Sequence, residues 1–540
     1  MTVRMDRRAL LAMGGFGVAG LLLPGGAAVA QALMGMTGFT HNVASGEPAS
    51  DSVLLWTRFK PKTGGDARLR AEVSETPAFT RIVSGGEVVT GAWRDHTAKI
   101  SVAGLAPDRW YWFRFIGPDG SVSPVGRTRT LPVGKVVRFN IGVFSCSNLG
   151  FGEFNAYGHA AARDDLDLWL HMGDYIYEYG RGGYDAGGAL AEKLLPAHEC
   201  VALADYRMRY AAYRLDPQLQ ALHARAPMLV NTDDHEMAND AWEGGAQNHQ
   251  PDEGQWANRK AAAMQAWHEW LPVSEAPWAA YRIGDLATYF RTDTRGLARS
   301  RPHEWADILR GPDRDKALAK FRNGEWQDDA ATMMGSAQEH WLYQAMAANK
   351  TAWTLLGVGT NTGHVFMPEE AVNWVAPDAP AIYHAGVRAG VAATKAGLPY
   401  NLDAWSGYPK ARSRLFKAAQ AASADMIVLT GDSHNAWAFD LPEGGKPAGV
   451  EFGGHSVSSP GYEAVVKTKD PRDVARAVVA ASPELRWMDS SNRGYMLLSL
   501  TPSAATNTWV FMESVAKVGL GTKPAHSMTV RKGRRVLEAA

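Results

Sequence analysis

Short apolar runs recur along the chain, and several close on a cluster of polar side chains. Leu166–Leu170 runs into HMGDYIYEYG (171–180). RFNIGVFSCSN (138–148) ends at Cys146, APMLVNTDDHE (226–236) at Asp233, Asp234, His235 and Glu236, and ADMIVLTGDSHNAW (424–437) at Asp432 and His434. Periodicity alone cannot tell such a run from a buried helix, but its shortness and breaks such as Gly173 predict a buried strand. Ahead of these, VLLWTRF (53–59), LRAEVSE (69–75), RIVSGGEVV (81–89), TAKISVAGL (97–105) and RWYWFRFIG (109–117) are β-branched or aromatic runs separated by Gly, Pro and Asp. They predict an all-β region over 38–132.

LPVGK (131–135) is the expected linker, and from Val136 strands alternate with helices. Residues 191–227 read as helical. QWANRKAAAMQAWHEWLP (255–272) reads as an amphipathic helix stopped by Pro272. Residues 336–360 and 413–434 each read as helix then strand, and this alternation argues for a layered α/β body. It is expected over 136–520, with 521–540 as a C-terminal tail. Residues 301–335 and the Pro/Gly-rich 362–411 read as insertions, loops over the site. Tryptophans in 301–411 are candidates to stack on a base, sugar or lipid.

At 540 residues the chain is long for one domain. Its hydrophobic content of 46% and charged content of 21% are ordinary for a globular protein. The formal net charge is zero, so nothing asks for nucleic acid or an anionic membrane as partner. Residues 1–30 read as an export signal: a basic start with Arg7-Arg8, a Gly-rich, weakly apolar middle and Ala28-Val29-Ala30 for cleavage. The paired arginines are those of a twin-arginine signal, so the twin-arginine export machinery is the expected partner. The apolar stretch is too short and Gly-rich for a membrane span. The expected product is a monomer without a membrane anchor, exported folded to the periplasm or beyond.

Each polar cluster stands where a strand should end, and in open α/β sheets ligands bind at the carboxyl ends of strands. Asp174 and Tyr177, spaced D-x-x-Y, suit a hard cation; an Asp-capped turn with a packed Tyr is the alternative. Four such clusters in one chain form the pattern of a polynuclear metal site. A thiolate, a phenolate and a carboxylate together favour ferric iron over zinc or magnesium. Cys146 and Cys200 are the only cysteines, and an exported protein with two would by default pair them. Cys146 lies beside the cluster, where a thiolate serves as a ligand, so no disulfide is expected. Arg291, Asp293 and Arg295 could bind phosphate or form a structural ion-pair run. There is no G-x-S-x-G elbow and no P-loop, which leaves acyl-hydrolase and nucleoside-triphosphatase readings without support.

The ordered set GDYIYE, DDHE and GDSH, with FSC where an early Asp-x-His would stand, resembles the alkaline phosphatase D (PhoD-like) family of calcineurin-like metallophosphoesterases. The resemblance runs from NVASGEPASDSVLLWTRF (42–59) to SNRGYMLLSLTP (491–502). It implies a metallophosphoesterase-type α/β sandwich, two sheets flanked by helices, preceded by an all-β, fibronectin-like sandwich. It implies a metal-dependent phosphoesterase acting on phosphate mono- and diesters by in-line attack. The alternatives are phospholipase D-like diester hydrolysis and a non-catalytic binding protein that keeps the fold. Cys146 stands for a metal-binding Asp, Asp174 for the bridging carboxylate and Tyr177 for an iron-side ligand. Asp234 replaces the Asn of G-N-H-D/E, and Asp432 replaces a His of G-H-x-H. Both changes favour Ca²⁺, so the implied cofactors are one Fe³⁺ with one or two Ca²⁺. His235 would give a proton to the leaving oxygen, Arg295 would contact phosphate, and Asn239 is a further metal-side candidate. His434 would ligate iron or contact substrate. A metal-binding His expected after the fifth core strand is missing; Asn361 and His364 are nearby but not in its place. Tyr175, Glu178 and Tyr179 are expected to pack or cap.

Overall fold

The structure is a computed structural model, and it describes residues 35–540. The signal expected over 1–30 lies outside the described residues. The described chain opens with β1 (Gly38–Gly46), β2 (Ser52–Lys60), β3 (Ala67–Ser74), β4 (Ile82–Thr90), β5 (Thr97–Ala103), β6 (Trp110–Ile116) and β7 (Gly126–Arg129). Strands β4–β3–β6–β7 form one sheet, and β1–β2–β5 the opposing layer. Along β6, Tyr111, Phe113 and Phe115 point inward while Trp110, Trp112 and Arg114 are half-buried, the period-2 pattern of a sheet with one wet face. The inward set meets Val43, Leu55, Phe59, Leu69 and Val73 in a core of its own.

This sandwich is not hung on a free linker. Strand β1 also pairs in parallel with a strand of the following body, through Gly46 and Met228. The three-stranded layer is thus the outer end of a ten-stranded sheet.

The second body is built from β8 (Phe139–Phe144), β9 (Leu168–His171), β10 (Met228–Val230), β11 (Ala279–Ile283), β12 (Ala287–Arg291), β13 (Trp353–Gly357), β14 (Met426–Thr430), β15 (Ala436–Glu443), β16 (Lys446–Gly453), β17 (Leu485–Asp489), β18 (Gly494–Leu500), β19 (Ala504–Phe511), β20 (His526–Arg531) and β21 (Leu537–Ala539). One sheet runs β21–β20–β19–β18–β8–β9–β10 and on into β1; the other runs β11–β12–β13–β14–β16–β15–β17. The strands β8, β9 and β10 are mutually parallel, as are β12, β13 and β14. They are apolar on both faces because both faces are covered. Ile141, Val143, Leu168, Leu170, Ile427 and Leu429 fill the space between the sheets. Their alternates Phe144 and Trp169 face the helices Asn155–Ala161, Leu203–Tyr213, Pro217–Arg225 and Trp256–Trp270. On the other sheet Leu356 and Val428 face Gly335–Ala348 and Pro409–Ala421. Each Leu or Ile buried this way contributes about 1.5–3 kcal/mol. This two-sheet sandwich flanked by helices, behind an all-β region, is the expected fold class.

Three local expectations are corrected. Residues 192–202 are irregular rather than helical; Pro196 interrupts them, and helix resumes only at Leu203–Tyr213. The two insertions are not plain loops: they carry the helices Arg314–Asn323 and Ala381–Lys395, packed through Leu318, Phe321, Ala393 and Leu398. The expected tail supplies β20 and β21, which extend the sheet beyond β19. No helix among the described residues is long and apolar enough to cross a membrane.

Candidate metal centre

Both sheets deliver their parallel strands to one edge. From the first, β8 leads to Cys146, β9 to Asp174 and Tyr177, and β10 to Asp233, Asp234 and His235. From the second, β12 leads to Asp293 and Arg295, and β14 to Asp432 and His434. The turn out of each strand is sharp. Cys146, Asp174, Asp432 and His434 have φ of 58°, 56°, 61° and 60°, a region that non-glycine residues seldom occupy and that costs about 1–3 kcal/mol each. Gly173 (φ 106°) and Gly359 must be glycine, since a Cβ at either would strike Asp233. Glu236 locks two of the turns together: its carboxylate accepts from the backbone N–H groups of Asp174 (3.1 Å), Tyr175 (2.6 Å) and Asp233 (2.7 Å).

The donors gather in three overlapping groups: Cys146 with Asp174 and His434; Asp174 with Asp234 and His235; and Asp233 with Asp234 and Asp432. Within each group the ligand atoms lie within 4.8 Å of one another. Asp174 belongs to the first two groups and Asp234 to the last two. The first end is mixed. The Tyr177 hydroxyl lies 2.9 Å from His434 Nε2, donates to Asp174 Oδ2 at 3.3 Å and accepts from Ser459 Oγ at 2.8 Å. The other end is all carboxylate.

Metal ions fit these residues on one observation in particular. Asp174 Oδ1, Asp233 Oδ2 and Asp234 Oδ1 are buried and have no hydrogen-bond partner. An ionised oxygen out of water needs a donor or a cation, and a cluster of three needs a cation. Burial, then the neighbouring Asp234 and Asp233, hold the Asp174 carboxyl well above the usual carboxylate range. Burial and Asp233 do the same to Asp432, and burial lifts Asp233 to about 6. Asp234 shifts the other way: burial opposes its ionisation, but Arg295 and His235 outweigh burial. Burial and Asp174 raise the Cys146 thiol well above its usual value. A bound cation lowers all such shifts and holds the thiol deprotonated.

Arg295, fully buried, is the counter-charge already in place. Its Nε donates to Asp233 (2.6 Å), and its two terminal nitrogens donate to Asp403 (2.6 Å) and Asp432 (3.1 Å). Arg299 takes the second Asp403 oxygen at 2.6 Å. In this structure Arg295 holds the carboxylates apart rather than offering an open fork. Arg291 pairs instead with Glu47 of the N-terminal sandwich at 2.9 Å, and Asp293 caps its own turn, accepting from the N–H groups of Arg295 and Leu297.

His235 is charged. Burial would lower its pKa, but Asp234, Glu178 and Asp174 together raise it well above the usual histidine value. Its Nδ1 lies 2.7 Å from Glu178 Oε2, which leaves Nε2 for the site. Glu178, expected only to pack or cap, is instead the orienting partner. Its carboxylate is fully buried and also accepts from the Asn239 backbone N–H (2.8 Å) and the Asn248 amide (2.9 Å). Sequence reading missed it because its partner is 57 positions away. Asn239 is not brought to the cluster: its side-chain amide donates to Gln247 at the exposed rim. Asp403 was also missed, inside a Pro/Gly-rich stretch that read as loop. Asn361 binds Glu451 (2.6 Å), and His364 faces Glu484 (3.4 Å). Neither enters the cluster. Cys146 and Cys200 are both free and buried, and Cys200 sits in the irregular segment, its N–H on Glu178 O.

Residues 141–509 match the family model described as PhoD-like phosphatase, and residues 26–132 the model for the N-terminal domain of PhoD-like phosphatases. The alkaline phosphatase D of Bacillus subtilis (strain 168) is 31% identical over 522 residues, which cover 92% of this chain and 81% of that protein. A solved structure described as "Structure of PhoD" superimposes with a TM-score of 0.76 at 26% identity, covering 93% of this chain and 92% of that one.

Proposed function

This chain belongs to the PhoD-like phosphatase family and is a phosphoric ester hydrolase, and from that premise we propose a mixed iron–calcium mechanism for hydrolysis of phosphate mono- and diesters. The observation that carries it is the set of bare, buried oxygens on Asp174, Asp233 and Asp234 beside a thiol, a phenol and an imidazole. Cys146, Tyr177 and His434 would hold Fe³⁺; Asp233, Asp234 and Asp432 would hold Ca²⁺; Asp174 would lie between them. When bound, these ions supply charge neutralisation for the phosphate and a more acidic water.

The protein's own groups do the rest. His235, kept protonated by its carboxylate neighbours and oriented by Glu178, gives its proton to the departing ester oxygen. Arg295 is a positioning residue that balances Asp233, Asp403 and Asp432 so that four carboxylates can face one point. Glu236 fixes the turns that present Asp174 and Asp233. Asn239 has no part in metal binding in this proposal.

The test is turnover of p-nitrophenyl phosphate and bis-p-nitrophenyl phosphate with and without a calcium-selective chelator. We expect hydrolysis of both, abolished by the chelator and restored by Ca²⁺. Full activity in chelator, or rescue by Zn²⁺ alone, contradicts the calcium assignment. Export through the twin-arginine route completes the proposal and rests on Arg7-Arg8. Changing both to Lys should leave the precursor in the cytoplasm, and normal export of that variant would contradict it.

A further inference from the structure

A cavity of about 180 Å³ opens beside the metal centre, walled by Asn361, Tyr400, Asn401, Ser433, Trp437 and Tyr462. Two of its walls continue straight into the site. Ser433 lies between Asp432 and His434 in the chain. Ala404, also on the wall, follows Asp403, which holds Arg295 at 2.6 Å. The site itself is crowded with charge, yet every residue lining the cavity is neutral.

The walls are fixed. Trp437 stacks on Phe439 with ring centroids 5.8 Å apart, and its indole N–H donates to Ser433 Oγ. Tyr462 meets Trp437 edge-on at 6.1 Å and 81°, making an aromatic corner, and its backbone N–H is held by Asn435. Among the described residues, the hydroxyls of Tyr400 and Tyr462 and the side-chain NH₂ of Asn401 make no hydrogen bond, so they are free to serve a guest. None of the tryptophans in 301–411 lines this cavity: Trp353, Trp374 and Trp405 are buried in the core, Trp341 packs on Trp278 and Phe290, and Trp305 and Trp326 donate to the backbone of Tyr400 and Ser406.

We propose that this cavity is the leaving-group pocket of the phosphoesterase and selects an uncharged alcohol of one ring's size. The inference rests on the hydrolase reading above. Drug-sized ligands fill roughly 300–1,000 Å³, so this volume suits a single ring. An aromatic corner takes the face of an aryl ring or the C–H face of a sugar, and the free hydroxyls and amide orient its polar edge. No carboxylate or cation lines the cavity, so a serine-like group would lose its hydration without a partner, and a quaternary ammonium would meet only the Trp437 and Tyr462 faces, with no anion to balance it. In the reaction a water oxygen bonds to phosphorus, the ester P–O bond breaks, and the departing oxygen takes a proton and leaves into the pocket as the neutral alcohol.

The experiment compares kcat/KM for phenyl phosphate, glucose 6-phosphate, methyl phosphate and phosphocholine in the wild type, Tyr462→Leu and Asn401→Asp. Tyr462→Leu should lower kcat/KM for the esters the pocket serves by about tenfold or more and leave methyl phosphate within about twofold. Whether phenyl phosphate or glucose 6-phosphate falls further separates an aryl from a sugar guest. Asn401→Asp should shift the preference toward phosphocholine, and phenol or glucose should inhibit the wild type competitively and Tyr462→Leu more weakly. An equal fall on all four esters, or no change on any, overturns the pocket while leaving the hydrolase reading intact. No turnover of any ester by the wild type would overturn both.

Discussion

The acidic groups of the N-terminal sandwich and those at the strand ends are handled in opposite ways. In the sandwich several carboxylates have an arginine of their own: Asp95 with Arg58, Glu72 with Arg70 and Arg114, Glu87 with Arg68. These pairs are partly exposed, weak and mutually complete. At the strand ends Asp233, Asp234 and Asp432 converge on the guanidinium of Arg295 with Asp174 beside them, and three oxygens of Asp174, Asp233 and Asp234 have no hydrogen-bond partner. A fold optimised for stability alone would not hold four carboxyl groups this close. The sandwich is built to be stable; the strand ends are built to hold charge that the protein itself does not neutralise.

The largest effect should come from taking one charge out of that crowd. Asp174→Asn should cut kcat/KM on the order of 10²–10³-fold or more. Its acid form is favoured in the fold, so ionisation at neutral pH destabilises the metal-free protein, and stability falls as pH rises through the raised folded pKa. The same variant, stripped with chelator, should therefore melt about 1–3 °C higher than the stripped wild type. A lower melting temperature would mean that the Asp174 carboxylate is stabilising and the contrast false.

The sandwich should respond the other way. Phe113→Ala, in the middle of its core, should cost about 3–5 kcal/mol in denaturant unfolding of that region. The folded fraction should keep its kcat and metal content. A fall in kcat per folded molecule would show that the sandwich helps to shape the site, and the Gly46–Met228 and Glu47–Arg291 links would be the routes to examine.

Glu178→Gln is a smaller change within the site. Loss of the orienting carboxylate should reduce kcat by about 10–100-fold. Glu178 raises the pKa of His235 and binds no ion in this proposal, so its share of the shift persists in the loaded site; the activity that needs the His235 proton is present below that pKa and lost as pH rises through it. Removing Glu178 lowers that pKa, and the alkaline limb of the kcat profile should move to lower pH. An unmoved limb would detach His235 from the proton transfer.

The same contrast explains what the residue pattern could reveal. The strand ends were legible because an apolar run that stops at Gly173-Asp174 or Gly431-Asp432 marks both a buried strand and its polar exit. The two-sheet body was legible for the same reason: Ile427 and Leu429 face one layer, Met426 and Val428 the other, which gives an unbroken apolar run. Glu178 and Asp403 were not legible, because their meaning lies in contacts with His235 and Arg295 that no local spacing reports. The terminal strand β21 was missed because a three-residue edge strand carries almost no alternation, and β20, paired between β19 and β21, was missed with it. The bond of β1 to β10 is a long-range pairing that no turn signal announces.

One buried site has two chemically different ends, one set by Cys146 and one by the carboxylates. The direct test is metal content and visible absorption of the purified protein, its Cys146→Ser variant and its Cys200→Ser variant. The wild type and Cys200→Ser should carry iron and calcium and show thiolate or phenolate charge-transfer colour. Cys146→Ser should lose or shift that colour and lose iron while keeping calcium. Loss of both metals together in Cys146→Ser, a colourless iron-free wild type, or a disulfide between Cys146 and Cys200 in active enzyme would contradict it.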